Sequence, residues 1–213
     1  IQTFADRILQ KEIHNLSDNG KSMFKRMQVA SLRMQTLIQD LLAFSRLSTT
    51  EREFENTNLS VIIDDVKNDL ADTIDEKHAT IETTEICDVY IIPFQFRQLM
   101  YNLICNALKF SKPDTPPHIK ISCQTIQDSK PCIPKLRPDK EYCLISITDN
   151  GIGFEKEFNE KIFEVFQRLH GKAEYAGTGI GLAIVKKIVE NHNGIITATS
   201  ELDKGATFDI YIP

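Results

Sequence analysis

From Met23 to Phe44 the apolar positions recur at alternating steps of four and three: Met23, Met27, Ala30, Met34, Leu37, Leu41 and Phe44. Three heptads of that spacing form the seam of a coiled coil or helical bundle. Phe24, Ile38 and Leu42 widen the stripe beyond a two-stranded seam, which favours a bundle. Ser17 is placed to cap the start, with Gly20 in the first turn. Upstream, Ile1, Phe4, Ile8 and Leu9 predict a shorter amphipathic helix, and HNLSDN, residues 14–19, reads as the turn of a helical hairpin. Two helices cannot bury so wide a stripe between themselves, so two chains are expected to build a four-helix bundle. The alternative is a hairpin packed on the globular part of its own chain. STTERE, residues 48–53, breaks the pattern and sets the expected domain boundary, with residues 1–50 in the hairpin and 51–213 in a second domain.

Beyond that boundary the period switches repeatedly. Residues 60–75 predict a helix, followed by short strands near Thr80–Thr83 and Val89–Ile91. Pro93 starts a helix running to Phe110, with Phe96, Leu99, Met100, Leu103, Ile104 and Leu108 on its apolar side. HIKISCQT (118–125) and EYCLISITD (141–149) alternate as strands on either side of a proline-bearing loop. Residues 180–193 predict a helix stopped by Asn193-Gly194, and IITATSEL and ATFDIYIP close the chain as an antiparallel pair. Antiparallel strands with helices on one face make an α+β layer.

Composition narrows the function classes. The 213 residues are 41% hydrophobic and 26% charged, as in globular proteins, and the net charge of −5 argues against general affinity for nucleic acid or an anionic membrane. No apolar run approaches the ~20 residues that span a bilayer. The opening IQTFADRILQ has neither a start Met nor a signal-peptide pattern, so the chain is expected to be a fragment, with room for a membrane segment upstream. Five cysteines without a C-x-x-C predict neither a zinc site nor a disulfide framework; Cys105, Cys123 and Cys143 read as reduced core residues, and the expected compartment is cytoplasmic.

Four stretches carry candidate chemistry. In QLMYNLICNALKFS (98–111), Asn102 and Asn106 share one helix face, with Lys109 close by. Asparagine is a poor helix former, so two on one face call for a reason; amide oxygens beside a lysine suit a hydrated Mg²⁺ with attached phosphates. An exposed polar face is the alternative. In DNGIGF (149–154), Asp149 at a strand end with Gly151 and Gly153 can accept from an exocyclic amino group such as that of adenine, or be only a turn. Phe163 and Phe166 anchor a polar stretch from Gln167 to Gly177 that reads as a flap ending in Gly177, Gly179 and Gly181, a G-x-G-x-G turn opening a helix. KGATF (204–208) is a turn between the last strands that can place Thr207 at a pocket edge, or be only a hairpin turn.

The order and spacing of the four stretches resemble the catalytic and ATP-binding domain of two-component sensor histidine kinases, the Bergerat fold shared with gyrase and MutL. The resemblance covers about Leu59 to Pro213, and the heptad region is similar to that family's dimerisation and phosphotransfer hairpin. The run FEVFQRLHGKAEYAGTGIGLAI resembles the phytochrome-like, PAS-linked branch. The resemblance implies an α+β chain in which a hairpin forms a dimeric four-helix bundle, followed by an α/β-sandwich ATPase domain. It implies ATP and Mg²⁺ as cofactors, with Asn106 as a metal ligand, Asn102 assisting and Lys109 reaching the phosphates. Asp149 would accept the adenine amino group, Phe110 would lie against the ring and Thr207 would touch it. Gly151 and Gly153 would admit the base; Gly177, Thr178, Gly179, Gly181 and Leu182 would close over the triphosphate, with Arg168 as a further phosphate contact. Implied partners are a second copy of the chain and a response-regulator receiver domain.

Where hydrolytic relatives place a water-activating glutamate, this chain has Asn102, which cannot act as a general base; the resemblance therefore implies transfer rather than hydrolysis. The family's acceptor histidine stands in an H-[DE]-L-x-x-P-L context that none of His14, His78, His118, His170 and His192 has. The acceptor is expected about ten residues upstream of Ile1, and His192, His118 and His78 are expected to be ordinary surface or loop residues. Two other readings stand beside the kinase: an ATP-gated dimerisation module that moves no phosphate, and a degenerate kinase serving as a scaffold.

Overall fold

The computed structural model describes residues 2–12, 14–46, 53–127, 137, 140–169 and 177–213. The expected boundary at residue 50, the middle of the proline-bearing loop and His170 lie outside them. Helices α1 (Gln2–Glu12) and α2 (Asp18–Arg46) form the hairpin. The Ser17 hydroxyl accepts from the Gly20 N–H at 3.2 Å, and Gln28 donates to Asp6 across the two helices. Much of the heptad stripe is open: Met23, Met27, Met34, Ile38 and Leu41 are 46–59% exposed, and Phe4 is 71% exposed. Among the described residues, it is the C-terminal end of the stripe, Leu37 and Phe44, that packs on the core of the second part.

That second part begins with β1 (Glu55–Asn58), a strand the sequence pattern does not predict, paired antiparallel with β3 (Asp88–Ile91). The Asn58 side chain accepts from the Ser60 N–H and caps α3 (Leu59–Asp69). The single helix expected over 60–75 is instead broken: Leu70 leaves helical geometry (φ −103, ψ 8) with its side chain buried, and α4 (Ala71–Glu76) follows. Beyond these come β2 (Thr80–Thr84), α5 (Pro93–Lys109), β4 (His118–Gln127), β5 (Glu141–Asp149), α6 (Gly181–Asn191), β6 (Ile195–Glu201) and β7 (Gly205–Ile212). The main sheet has the order β2-β4-β5-β7-β6, parallel only between β2 and β4.

Helices α3, α5 and α6 cover one face. Phe96, Leu99, Met100, Leu103, Ile104 and Leu108 of α5 are essentially inaccessible, as their spacing predicts. Each such side chain contributes about 1.5–3 kcal/mol relative to an exposed position, which fixes α5 over the sheet despite its polar face. Among the described residues, the other sheet face carries a small cluster around Tyr142 and Tyr211.

Two expectations are corrected here. His192 is a core residue, 3% exposed: Nε2 accepts from the Ile92 N–H at 2.9 Å and Nδ1 donates to Ile188 O at 2.7 Å, with Phe54 and Phe96 edge-on to the ring. It thereby satisfies a backbone donor at the start of α5 from the end of α6. Cys123 and Cys143 are also not independent core residues, whereas Cys105 is free as expected. Cys87 and Cys123 pair as a disulfide, with Cα atoms 6.0 Å apart, and Cys143 lies against both. Spacing gave no sign of this because the turn after β2 brings Cys87 onto the sheet.

Candidate functional site

The last two turns of α5, the end of β5, the turn before α6 and the start of β7 enclose a cavity of about 300 Å³. Asn102, Asn106 and Lys109, one face of α5, form one wall. Asn102 Nδ2 donates back to Gln98 O at 2.8 Å, which turns its Oδ1 toward the start of α6, where a Cβ on Gly181 would come within 2.8 Å of it. Lys109 Nζ stands 4.3 Å from the centroid of the Phe110 ring. Burial lowers the Lys109 pKa, the charge of Arg168 lowers it further, and Cys105 opposes both. Two cations thus share one end of the cavity, an arrangement that an anion relieves.

Asp149 lies where β5 ends. Its Oδ1 accepts from the Gly151 N–H at 2.8 Å and from the Ala206 N–H at 3.3 Å. Burial raises the carboxyl pKa, partly offset by those two N–H groups. With Oδ1 anchored by backbone, Oδ2 is left for a donor from a ligand. Around it Ile152, Phe154, Ile162 and Phe208 make an apolar slot. At the other end the turn reverses at Gly179, whose φ of +75 favours glycine and whose carbonyl accepts from the Phe166 N–H. The α6 N-terminus follows, with its positive dipole end beside the two cations. A carboxylate in an apolar slot, two cations, two amides and a helix N-terminus suit a flat ring with an amino group and a polyanionic tail.

Of the residues singled out in the sequence, Asn102, Asn106, Lys109, Phe110, Asp149, Gly153, Arg168, Gly177, Thr178, Gly179, Gly181 and Leu182 all line this cavity. Gly151 does not; it holds Asp149 through its N–H. Thr207 is a correction. Side chains alternate along β7, so Ala206 and Phe208 face the cavity while Thr207 faces the opposite side, its Oγ1 3.0 Å from Thr148 Oγ1. The placement expected for Thr207 belongs to Ala206, and counting back two from the buried Phe208 is the signal that finds it. Thr36 and Asp40 of α2 also reach the cavity, and Asp40 accepts a hydrogen bond from Thr178 at 2.5 Å. Nothing local in the sequence of α2 marks that pair.

Comparisons with known proteins bear on the family and the fold. Residues 92–213 match the family model described as histidine kinase-, DNA gyrase B- and HSP90-like ATPase. Cyanobacterial phytochrome A of Nostoc sp. is 40% identical over 180 residues, which is 84% of this chain and 22% of that protein, so the chain spans about a fifth of its length. Among solved structures, full-length ShkA in complex with AMPPNP superposes with a TM-score of 0.68 at 20% identity, covering 99% of this chain and 41% of that one. The Acinetobacter baumannii histidine kinase AdeS superposes at 0.65 and 21% identity, covering 99% and 93%. These two show the fold: a helical hairpin followed by the α/β sandwich. With a matched ATPase module over more than half its length, the chain belongs to the histidine kinase-, DNA gyrase B- and HSP90-like ATPase family.

Proposed function

We propose that this chain holds Mg-ATP and passes the γ-phosphate to a histidine imidazole, for relay to a response-regulator aspartate. The observation that carries the reading is Asp149, held by two backbone N–H groups at the end of an apolar slot whose far end carries Lys109 and Arg168. Adenine donates its amino group to Oδ2, and the triphosphate runs toward the cations and the α6 N-terminus. Asn106 and Asn102 offer amide oxygens to the metal, a fit for Mg²⁺, which takes few protein ligands and keeps phosphate and water oxygens. An Mg²⁺ held by these amides would neutralise phosphate charge during transfer. The imidazole nitrogen attacks γ-phosphorus as the bond to the β–γ bridging oxygen breaks, and ADP leaves; Asn102 supplies no base for water to compete.

The exposed heptad stripe supports a homodimer through the hairpin. For the acceptor we look outside these 213 residues. His192 is buried with both ring nitrogens engaged, and His14 stands in the hairpin turn without an acidic neighbour. With γ-radiolabelled ATP, the present chain is expected to take up no acid-labile label, whereas a longer polypeptide carrying sequence N-terminal to Ile1 is labelled. Label on the present chain that His14→Ala removes would overturn the acceptor assignment. The bond between Thr178 and Asp40 favours one second reading, an ATP-gated conformational module; nucleotide binding without label on the longer polypeptide would select it. Separately, Asn106→Asp is expected to shift the Mg²⁺ dependence of ATP binding by about tenfold or more. An identical metal titration removes Asn106 from the ligand set.

A further inference from the structure

Three sulfurs meet at the end of the sheet remote from the nucleotide cavity. Cys87 comes from the turn between β2 and β3, Cys123 from β4 and Cys143 from β5, six residues before Asp149 and so about 20 Å along the strand. Cys143 Sγ lies 3.1 Å from Cys123 Sγ and 3.4 Å from Cys87 Sγ. All three sulfurs lie within 4.8 Å of one another, a spacing that one central atom with bonds of about 2.3 Å to each sulfur can bridge. Cys123 belongs to the core, while Cys87 and Cys143 are half-buried, so the group borders solvent on one side. Neither the nucleotide site nor the hairpin uses it.

We propose that the reduced triad is a three-thiol site for a trivalent oxyacid of the arsenite class. Charge decides among thiophilic ions. Three thiolates around Cu(I) leave two negative charges in the apolar layer, and around Zn(II) they leave one. Uncompensated charge there is costly. Zinc in structural sites also takes four ligands, and among the described residues the group supplies three. Arsenic(III) takes three sulfurs and ends neutral.

The chemistry balances. A phosphine or small-thiol reductant gives two electrons to the Cys87–Cys123 disulfide, which takes up two protons and becomes two thiols. Arsenite, As(OH)₃, then condenses with the three thiols: three As–O bonds break, three As–S bonds form, and each thiol proton leaves on a hydroxide as water. Arsenic remains trivalent throughout. Occupancy ties the β2–β3 turn to β4 and β5.

The test is arsenite added to the phosphine-reduced chain, followed by native mass spectrometry and arsenic-edge X-ray absorption. One arsenic per chain is expected, with a mass gain of one arsenic less three hydrogens, three As–S contacts and no As–O contact. Cys143→Ser is expected to weaken arsenite binding by about tenfold or more, since one tether of the chelate is lost, and to restore an As–O contact; Cys105→Ser leaves binding intact. If Cys143→Ser fails to fold, the spectrum of the unsubstituted chain decides. No bound arsenic, fewer than three As–S contacts, or displacement of arsenite by equimolar Zn(II) or Cu(I) would overturn the proposal.

Discussion

Asp149→Asn is expected to weaken ATP binding by about 10- to 100-fold, the range for losing a hydrogen bond to a charged group, while leaving the apo fold in place. An asparagine Oδ1 still accepts from the Gly151 and Ala206 N–H groups, so the turn after β5 keeps its anchor. The change falls on the other terminal atom, where an acceptor becomes an NH₂ donor. Against the adenine amino group, two donors then face each other in an apolar slot, and neither is satisfied. The same substitution is expected to stabilise the apo chain at neutral pH. Burial raises the Asp149 pKa, so the folded state binds that proton more tightly than the unfolded chain does. The corresponding stability is present below the ordinary carboxylate pKa and is lost as pH rises through the raised folded value. At neutral pH the wild-type chain therefore carries the cost of a buried carboxylate, and the amide does not. Calorimetric titration with ATP and melting at neutral and acid pH check both halves. Unchanged affinity would remove Asp149 from adenine recognition, and a lower apo melting temperature at neutral pH would contradict the sign of the burial effect.

That pairing of weaker binding with firmer apo structure marks what the sequence could and could not reveal. The apolar periods of α5 and α6 and the alternation in β4 and β5 report burial on one face, which is what periodicity records, whereas the heptads of α2 mark a stripe that a single chain leaves open. The cavity residues on α5 and in the glycine turn were legible because two asparagines on a helix and three closely spaced glycines cost stability unless something uses them. β1 was not, since Glu55, Asn56, Thr57 and Asn58 form a strand only because β3 pairs with them. Thr207 was misplaced by a single residue, enough to send a strand side chain to the other face. Asp40 and Thr36, the buried His192 and the meeting of Cys87, Cys123 and Cys143 depend on contacts between segments far apart in sequence. No local pattern encodes them.

Gly205 is where the cavity is most sensitive to a single added methyl group. It opens β7 with a φ of +96, and a Cβ built on it would stand 1.9 Å from Asp149 O, 2.7 Å from Asp149 C and 3.0 Å from Asn150 Cα. All three atoms are backbone, so no flexible side chain can step aside. Asp203 carries a side chain at φ +60, inside the left-handed helical well, but +96 lies outside it, so backbone strain and overlap with β5 both demand glycine at 205. Gly205→Ala must therefore push the start of β7 away from the end of β5. That movement pulls on the bond from Ser200 Oγ to Gly205 O and on the Ala206 N–H that holds Asp149. Left-handed strain and overpacking each cost about 1–3 kcal/mol, so a loss of about 3 kcal/mol or more is expected. At about 2–4 °C per kcal/mol for a chain of this size, the melting temperature should fall by about 6–12 °C. ATP affinity should fall with it, since Asp149 loses one of its two backbone donors. A loss below about 1 kcal/mol with normal nucleotide affinity would mean that the β5–β7 junction relaxes freely, and Asp149 would then owe its position to the Gly151 N–H alone.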